Sequence, residues 1–211
     1  MKKSLKTLTR LIATLLMLPL TVTFFALTLL GKGDALMMAF SQLLSLLPGK
    51  TGSYLRIAFY HYTLHKCDWN TVIYFGTLFS SRDITINDGV YLGASCNIGA
   101  CNIGKDVLFG SGVHILSGKR QHHFEDLETR IQDQGGTYES ISIGEDSWLG
   151  NGAIVMADVG HHAIVAAGAV VTSAVPDYAI VGGNPARIIK YRNESSNPES
   201  SAISDPIASG K

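Results

Sequence analysis

The sequence predicts a mainly β protein: a parallel β-helix of six-residue turns, with an α-helical, membrane-associated segment ahead of it. Three observations carry that prediction. An aliphatic residue followed by glycine or another small residue recurs about every six positions from Ile86 onward. Residues 11–31 carry no charge at all, and one polar stretch, residues 116–136, breaks the rhythm with two adjacent histidines.

The apolar segment comes first. Lys2, Lys3, Lys6 and Arg10 precede an uncharged run, LIATLLMLPLTVTFFALTLL, at residues 11–30. A helix of about 20 residues spans ~30 Å, the thickness of a bilayer core, and a proline such as Pro19 is tolerated there. A secretory signal peptide is a rival reading, but its apolar core is shorter and no small-x-small cleavage pattern stands near Gly31. A buried helix of a soluble protein is the third reading. A second uncharged run, residues 35–49, is short for a span and suits a re-entrant or interfacial helix. SYLRIAFYHYTLHK then mixes aromatics with Arg56, His61 and Lys66, as at a membrane–water boundary. The basic N-terminus belongs on the cytoplasmic side. Two arrangements stay open: a hairpin returning to that side, or two helices lying in one leaflet. Membrane association is expected through residues 11–47.

The rhythm occupies the middle of the chain. Its stations are Ile86, Leu92, Ile98, Ile103, Phe109 and Ile115; it resumes at Ile143, Leu149 and Val155, slips by two residues to Val159, and runs on to Val165 and Val171. A period of six is neither helical nor a simple alternation. It marks hexapeptide turns, three to a triangular coil, with the aliphatic residue pointing into the prism and a small residue at the corner. Twelve stations make about four coils, and at about 4.8 Å between strands the prism is about 20 Å tall. Its open ends need caps; the N-terminal segment serves one and NPARIIKYR the other. The organisation expected is therefore a hydrophobic helical segment at 1–66, the β-helix at 67–192 with an extruded loop at 116–140, and a serine- and proline-rich disordered tail at 193–211.

ISIGEDSWLGNGAIV, IVAAGAVVTSAVPDYAIVGGNPARII and the loop histidine together resemble the hexapeptide-repeat acyltransferases. The nearest branch is that of the maltose, galactoside, xenobiotic and polysaccharide O-acetyltransferases. The resemblance covers roughly residues 71–190. It implies a left-handed β-helix, a homotrimer, and acetyl-CoA lying in a groove between adjacent prisms. A histidine of the extruded loop would act as general base on a hydroxyl of a sugar, in a polysaccharide or a lipid-linked glycan precursor. The soluble enzymes of the branch lack the apolar N-terminal third, which favours a lipid-linked acceptor. Because CoA thioesters are cytoplasmic, the catalytic part is expected on the cytoplasmic face of the inner (plasma) membrane.

Acyl transfer to a hydroxyl needs a base, a stabilised oxyanion and held reactants. Histidine titrates near neutrality and suits the first task. In this branch the base follows a Ser-Gly-x-x-Gln run, which Ser117, Gly118, Lys119, Arg120 and Gln121 match; His122 is chosen over His123. Glu125 or Asp126 could orient the imidazole, but loop acids are commonly just solvated, and they stay outside the catalytic set. The resemblance assigns the oxyanion to the backbone N–H of Asn151 and the pantetheine channel to Trp148. Gly150 and Ala167 act through their backbones, Thr172 lies near the adenine, and Arg187 and Lys190 lie near the phosphates. Relatives often carry lysine after the Thr172 position; here it is Ser173.

Composition excludes other classes. Seventeen basic and 17 acidic residues give no net charge, so a nucleic-acid footprint is not expected. Three cysteines, Cys67, Cys96 and Cys101, fit no zinc pattern and read as small buried hydrophobes, in keeping with a reducing compartment. No metal is expected. A carbonic-anhydrase-like enzyme needs three convergent imidazoles, whereas His161 and His162 are adjacent and point apart in extended chain. A non-catalytic scaffold tethered to a membrane is the remaining alternative.

Overall fold

The computed structural model describes residues 2–31 and 33–193. The tail expected to be disordered lies, from residue 194 on, outside the described residues. Three parallel sheets form the walls of a prism. The first wall stacks Lys66–Cys67, Ile84–Ile86, Cys101–Ile103 and Ile141–Ile143, and single bridges at Val159 and Val175 continue it. The second stacks Val72–Ile73, Tyr91–Leu92, Leu108–Phe109, Trp148–Leu149, Ile164–Val165 and Ala179–Gly182. The third stacks Leu78–Phe79, Asn97–Ile98, His114–Ile115, Ile154–Val155 and Val170–Val171.

Every predicted station points inward, each at most 3% exposed. A second inward position precedes the station by two residues, as at Val90, Cys96, Val107, Val113, Ala153 and Ala163. Two side chains per turn thus fill the prism, and the core is continuous from coil to coil. The slip at Val159 is a shortened corner: the chain passes from third wall to first with two residues fewer, leaving a bridge where earlier coils have a strand.

The count of about four coils is corrected to five, because the third wall has five strands. The extra coil turns on Cys67, Ile73 and Phe79, all buried. Asp68, Tyr74 and Ser80 follow these stations where later turns have glycine, so the coil carries no rhythm to the eye.

Three helices close the end beneath this coil: α1 Lys2–Thr28, α2 Gly33–Ser45 and α3 Gly49–Thr63. The stretch Ser4–Thr28, 25 residues, is long and apolar enough to cross a membrane; its most apolar 18-residue window has mean hydropathy 2.1, and only 17% of that window is buried. The first coil has no coil below it, so its backbone groups need other partners. The helices supply them. Ser53 Oγ accepts from the Ile73 N–H at 3.2 Å, and Ser41 Oγ accepts from the Phe79 N–H at 2.8 Å. The Arg56 guanidinium donates to the carbonyls of Ile73 (2.8 Å), Leu47 (2.6 Å) and Leu44 (3.2 Å). Phe24, Phe40, Phe59, Tyr60 and Phe79 fill the space between helices and coil. Burial lowers the Arg56 pKa from its ordinary value and raises that of Tyr60.

The reading of SYLRIAFYHYTLHK as a membrane–water boundary is therefore corrected for Arg56, Phe59 and Tyr60, each 0% exposed. Cation and aromatics meet there to seal a strand edge. At the opposite end Arg187–Tyr191 folds back antiparallel on Ala179–Gly182 and closes the second wall, the cap expected of NPARIIKYR.

Candidate active site

The loop leaves the third wall after Ile115 and rejoins the first wall at Ile141. Its two legs pair: Glu139 N–H donates to Ser117 O (3.0 Å), Thr137 N–H to Arg120 O (2.7 Å) and His123 N–H to Gly135 O (3.0 Å). Glycine at 136 permits this approach, since a Cβ there would sit 1.8 Å from the Gln121 carbonyl oxygen. The tip is knit by Asp126, which accepts from the Glu128 N–H and the Thr129 hydroxyl, and by Gln134, whose amide donates to Asp126 O and Thr129 O. The Thr129 hydroxyl holds the Asp126 carboxyl below its ordinary pKa, and the Phe124 N–H does the same for Glu125.

The two histidines differ. His123 is partly enclosed, its Nδ1 3.8 Å from Glu125 Oε2 and its Nε2 3.4 Å from Thr137 Oγ1. His122 is exposed and has no polar partner among the described residues. At the loop's root the Lys119 ammonium donates to the Thr172 carbonyl, tying the loop to the same edge of the prism two coils on. A groove of about 460 Å³ runs beside this edge, bordered by Ser80, Asn97, His114, Gln121 and Tyr138.

Trp148, Gly150, Asn151 and Ala167 lie elsewhere, at the corner between second and third walls. Gly150 is packed against the next coil, since a Cβ there would fall 2.4 Å from the Ala167 nitrogen. Asn151 Oδ1 accepts from the Ser111 N–H at 3.0 Å, so its side chain braces the corner. Its own N–H has no backbone partner among the described residues. Beside it lies an open groove of about 370 Å³ bordered by Tyr91, Gly93, Leu108, Gly110, Ser111 and Trp148, with Trp148 52% exposed. Arg187 and Lys190 stand exposed on the closing strand of the second wall, paired with Gly182 and Ile180.

The structure thus separates the predicted residues: His122 and Thr172 lie on one edge, Trp148, Gly150, Asn151 and Ala167 on another, and Arg187 and Lys190 on the closing strand of the second wall. No contact joins His122 to Asn151 within the described residues of one chain. What the sequence reading missed is the outer face of the second wall. Val72, Tyr91, Leu108, Trp148, Ile164 and Ile180 align in register there, one residue before each inward station. Only Trp148 belongs to the predicted set, yet every residue of that column is aliphatic or aromatic.

A depression of about 580 Å³ lies on the first wall between Asn102, Ser142, Glu145, Asp158, His161 and Asp177, and none of the predicted residues borders it. His161 Nδ1 accepts from the Glu145 N–H, while the His162 imidazole pairs with Asp146 at 2.9 Å and stacks on Tyr178.

No family model matches the chain. Among curated proteins it is 35% identical over 124 residues to a chloramphenicol acetyltransferase of Klebsiella aerogenes, covering 54% of this chain and 56% of that one. It is 31% identical over 125 residues to a putative lipopolysaccharide biosynthesis O-acetyl transferase of Escherichia coli K12, covering 56% and 62%. The chain spans less than two thirds of the length of these relatives. The fold is shared with a maltose O-acetyltransferase of Clostridium difficile 630, at TM-score 0.63 and 19% identity, over 75% of this chain and 87% of that one.

Proposed function

We propose that this chain, similar to the hexapeptide-repeat acetyltransferases, is a homotrimeric, membrane-associated O-acyltransferase that moves an acetyl group from acetyl-CoA to a sugar hydroxyl. The observation that carries the reading is the division of the site between two edges of the prism. In a trimer the loop edge of one prism meets the second wall of the next, and His122 then faces Asn151 across the join. The apolar outer column of the second wall supports this, since a face of Tyr91, Leu108 and Trp148 is poorly suited to water.

In that groove the acetyl thioester lies along Trp148 and Leu108, with the nucleotide toward Thr172, Arg187 and Lys190. Ser173 cannot supply the cation that relatives often place there, which leaves the phosphates to the two basic residues of the closing strand. His122 takes the proton from the acceptor hydroxyl as its oxygen attacks the thioester carbonyl. The Asn151 N–H, free of a backbone partner, donates to the oxyanion. Collapse breaks the C–S bond, and the thiolate leaves with the proton carried by the imidazolium. The groove beside the loop offers Asn97, His114, Gln121 and Tyr138 to a hydroxyl-rich acceptor. A glycan precursor on a membrane lipid fits the apolar helix, and the cytoplasmic face fits the donor.

Thiol release from acetyl-CoA with a panel of glycans tests the assignment. His122→Ala is expected to lower turnover by about 10²–10⁴, the usual share of a general base, with melting unchanged, while His123→Ala stays active. Full activity in His122→Ala rejects the base.

A further inference from the structure

We propose that the helical cap is a monotopic docking face for an anionic lipid bilayer: α1 lies in the membrane plane, immersed by its outer surface, and neither α1 nor α2 crosses. This deepens the membrane-associated reading above and does not depend on acyl transfer.

Both ends of α1 are fastened to one coil. Near its start the Lys6 ammonium bonds to Asn70 Oδ1, and Arg10 donates to the Trp69 carbonyl at 3.1 Å with its guanidinium 5.7 Å from the centre of the Trp69 ring. Near its end Phe24, 0% exposed, packs on Phe59 with ring centres 5.5 Å apart, and the Arg82 guanidinium lies 5.4 Å from its ring. Trp69 stands at the first coil's corner between first and second walls, and Arg82 at the corner where that coil passes from the third wall to the next coil. Residues 10 and 24 are separated by about 21 Å of helix axis at 1.5 Å per residue, so that axis runs across the prism's end. A crossing helix instead carries one end about 30 Å away from its domain.

The rest of the circumference identifies the occupant. One stripe of α1 is covered, through Ala13, Thr21 and Phe24, while Leu11, Ile12, Leu15, Leu16, Val22 and Phe25 face outward, all exposed. A helix apolar on every side and covered on one demands a nonpolar medium over the remainder. A partner helix covers a single further stripe; lipid covers all of it. α2 and the residue after it add exposed Leu43 and Leu46. The rim is basic and aromatic: a recess of about 270 Å³ beside α1 is bordered by Lys6, Lys50, Tyr54, Trp69, Asn70 and Tyr74. That rim matches anionic headgroups and the aromatic belt of an interface. In this pose the helical cap lies between the bilayer and the first coil. The loop of His122 leaves the third coil about 10 Å above the first, two strand spacings away.

The test uses the full chain with vesicles of phosphatidylcholine, with and without phosphatidylglycerol. Flotation reads binding. A membrane-impermeant maleimide reads sidedness at Ser4→Cys, at Lys32→Cys between α1 and α2, and at Glu128→Cys in the loop tip; the native thiols are buried and give little background. The expected result is flotation favoured by the anionic lipid and labelling of all three positions from one side. Leu15→Glu with Leu16→Glu, both at exposed sites, is expected to lower the bound fraction about tenfold or more with helicity and melting unchanged. Labelling of Lys32→Cys from the side opposite Glu128→Cys means a crossing and overturns the proposal. So does a chain that stays off vesicles, or a double variant that binds as before. None of these readouts is activity, so failure here is distinct from failure of the catalytic reading.

Discussion

The first and second walls of the prism are alike inside and opposite outside. Inward, Ile86, Ile103 and Ile143 of the first wall match Leu92, Phe109 and Leu149 of the second, all sealed from solvent. Outward, the first wall shows Lys66, Thr85, Asn102 and Ser142, whereas the second shows Tyr91, Leu108, Trp148 and Ile164 in the same register. The difference teaches that a solenoid writes two messages into one hexad. The inward positions specify the coil; the position beside each of them specifies what the wall meets.

The sharpest way to break that comparison is to charge each outer face. Trp148→Glu or Leu108→Glu is expected to dissociate the trimer in sedimentation and to cut thiol release by about 10² or more, because the reactants lose their common groove. Asn102→Glu, at the matching register of the first wall, is expected to leave assembly and rate within about twofold, as exposed substitutions usually do. If both walls respond equally, the outer code is absent.

Inside, the walls should respond alike. Phe109→Ala is expected to cost about 3–5 kcal/mol and Ile103→Ala about 2–5 kcal/mol, through lost transfer energy and the cavity left behind. Urea unfolding measures both. A cost near zero at either station removes it from the core.

A smaller effect marks one asymmetry within. Cys67 and Cys101 face inward on the first wall. Burial pushes the Cys67 thiol up to about 12 and shifts Cys101 in the same direction. An unfolded thiol ionises near 8.5, so above that pH the unfolded chain sheds protons that the folded chain keeps. Stability is therefore intact below about pH 8.5 and declines as pH rises toward the folded value. The urea midpoint should fall between pH 8 and pH 10, and Cys67→Ala with Cys101→Ala should flatten part of that slope.

The rhythm that identifies the prism was readable because hydrophobic residue and corner glycine fall together from Leu92 to Leu149. The first coil was not, because Asp68, Tyr74 and Ser80 stand where glycine does later. Arg56 among aromatics looked like a membrane boundary because cation and ring keep company in both settings. The Ile73 carbonyl of the open coil and the Leu44 and Leu47 carbonyls at the end of α2 decide the matter, and they come together only once the chain is folded. The Ser-Gly-x-x-Gln run singles out His122 as a candidate, but it says nothing of the separation between the loop edge and the Asn151 edge. Sequence order gives the corner on which a residue sits only when the coils are counted. The apolar outer column escaped notice because the eye followed the stations and passed over their neighbours.

The central claim is that the site is shared between chains, and mixed trimers test it most directly. On the proposed reading His122→Ala removes the base and Asn151→Pro removes the N–H donor, so each alone should be nearly inactive. Co-expressed in equal amounts and assembled at random, the two are expected to recover about a quarter of wild-type thiol release. In a cyclic trimer that fraction of interfaces pairs an intact loop with an intact wall. Mixed trimers no more active than the separate variants would contradict the account, because base and donor would then have to come from one chain.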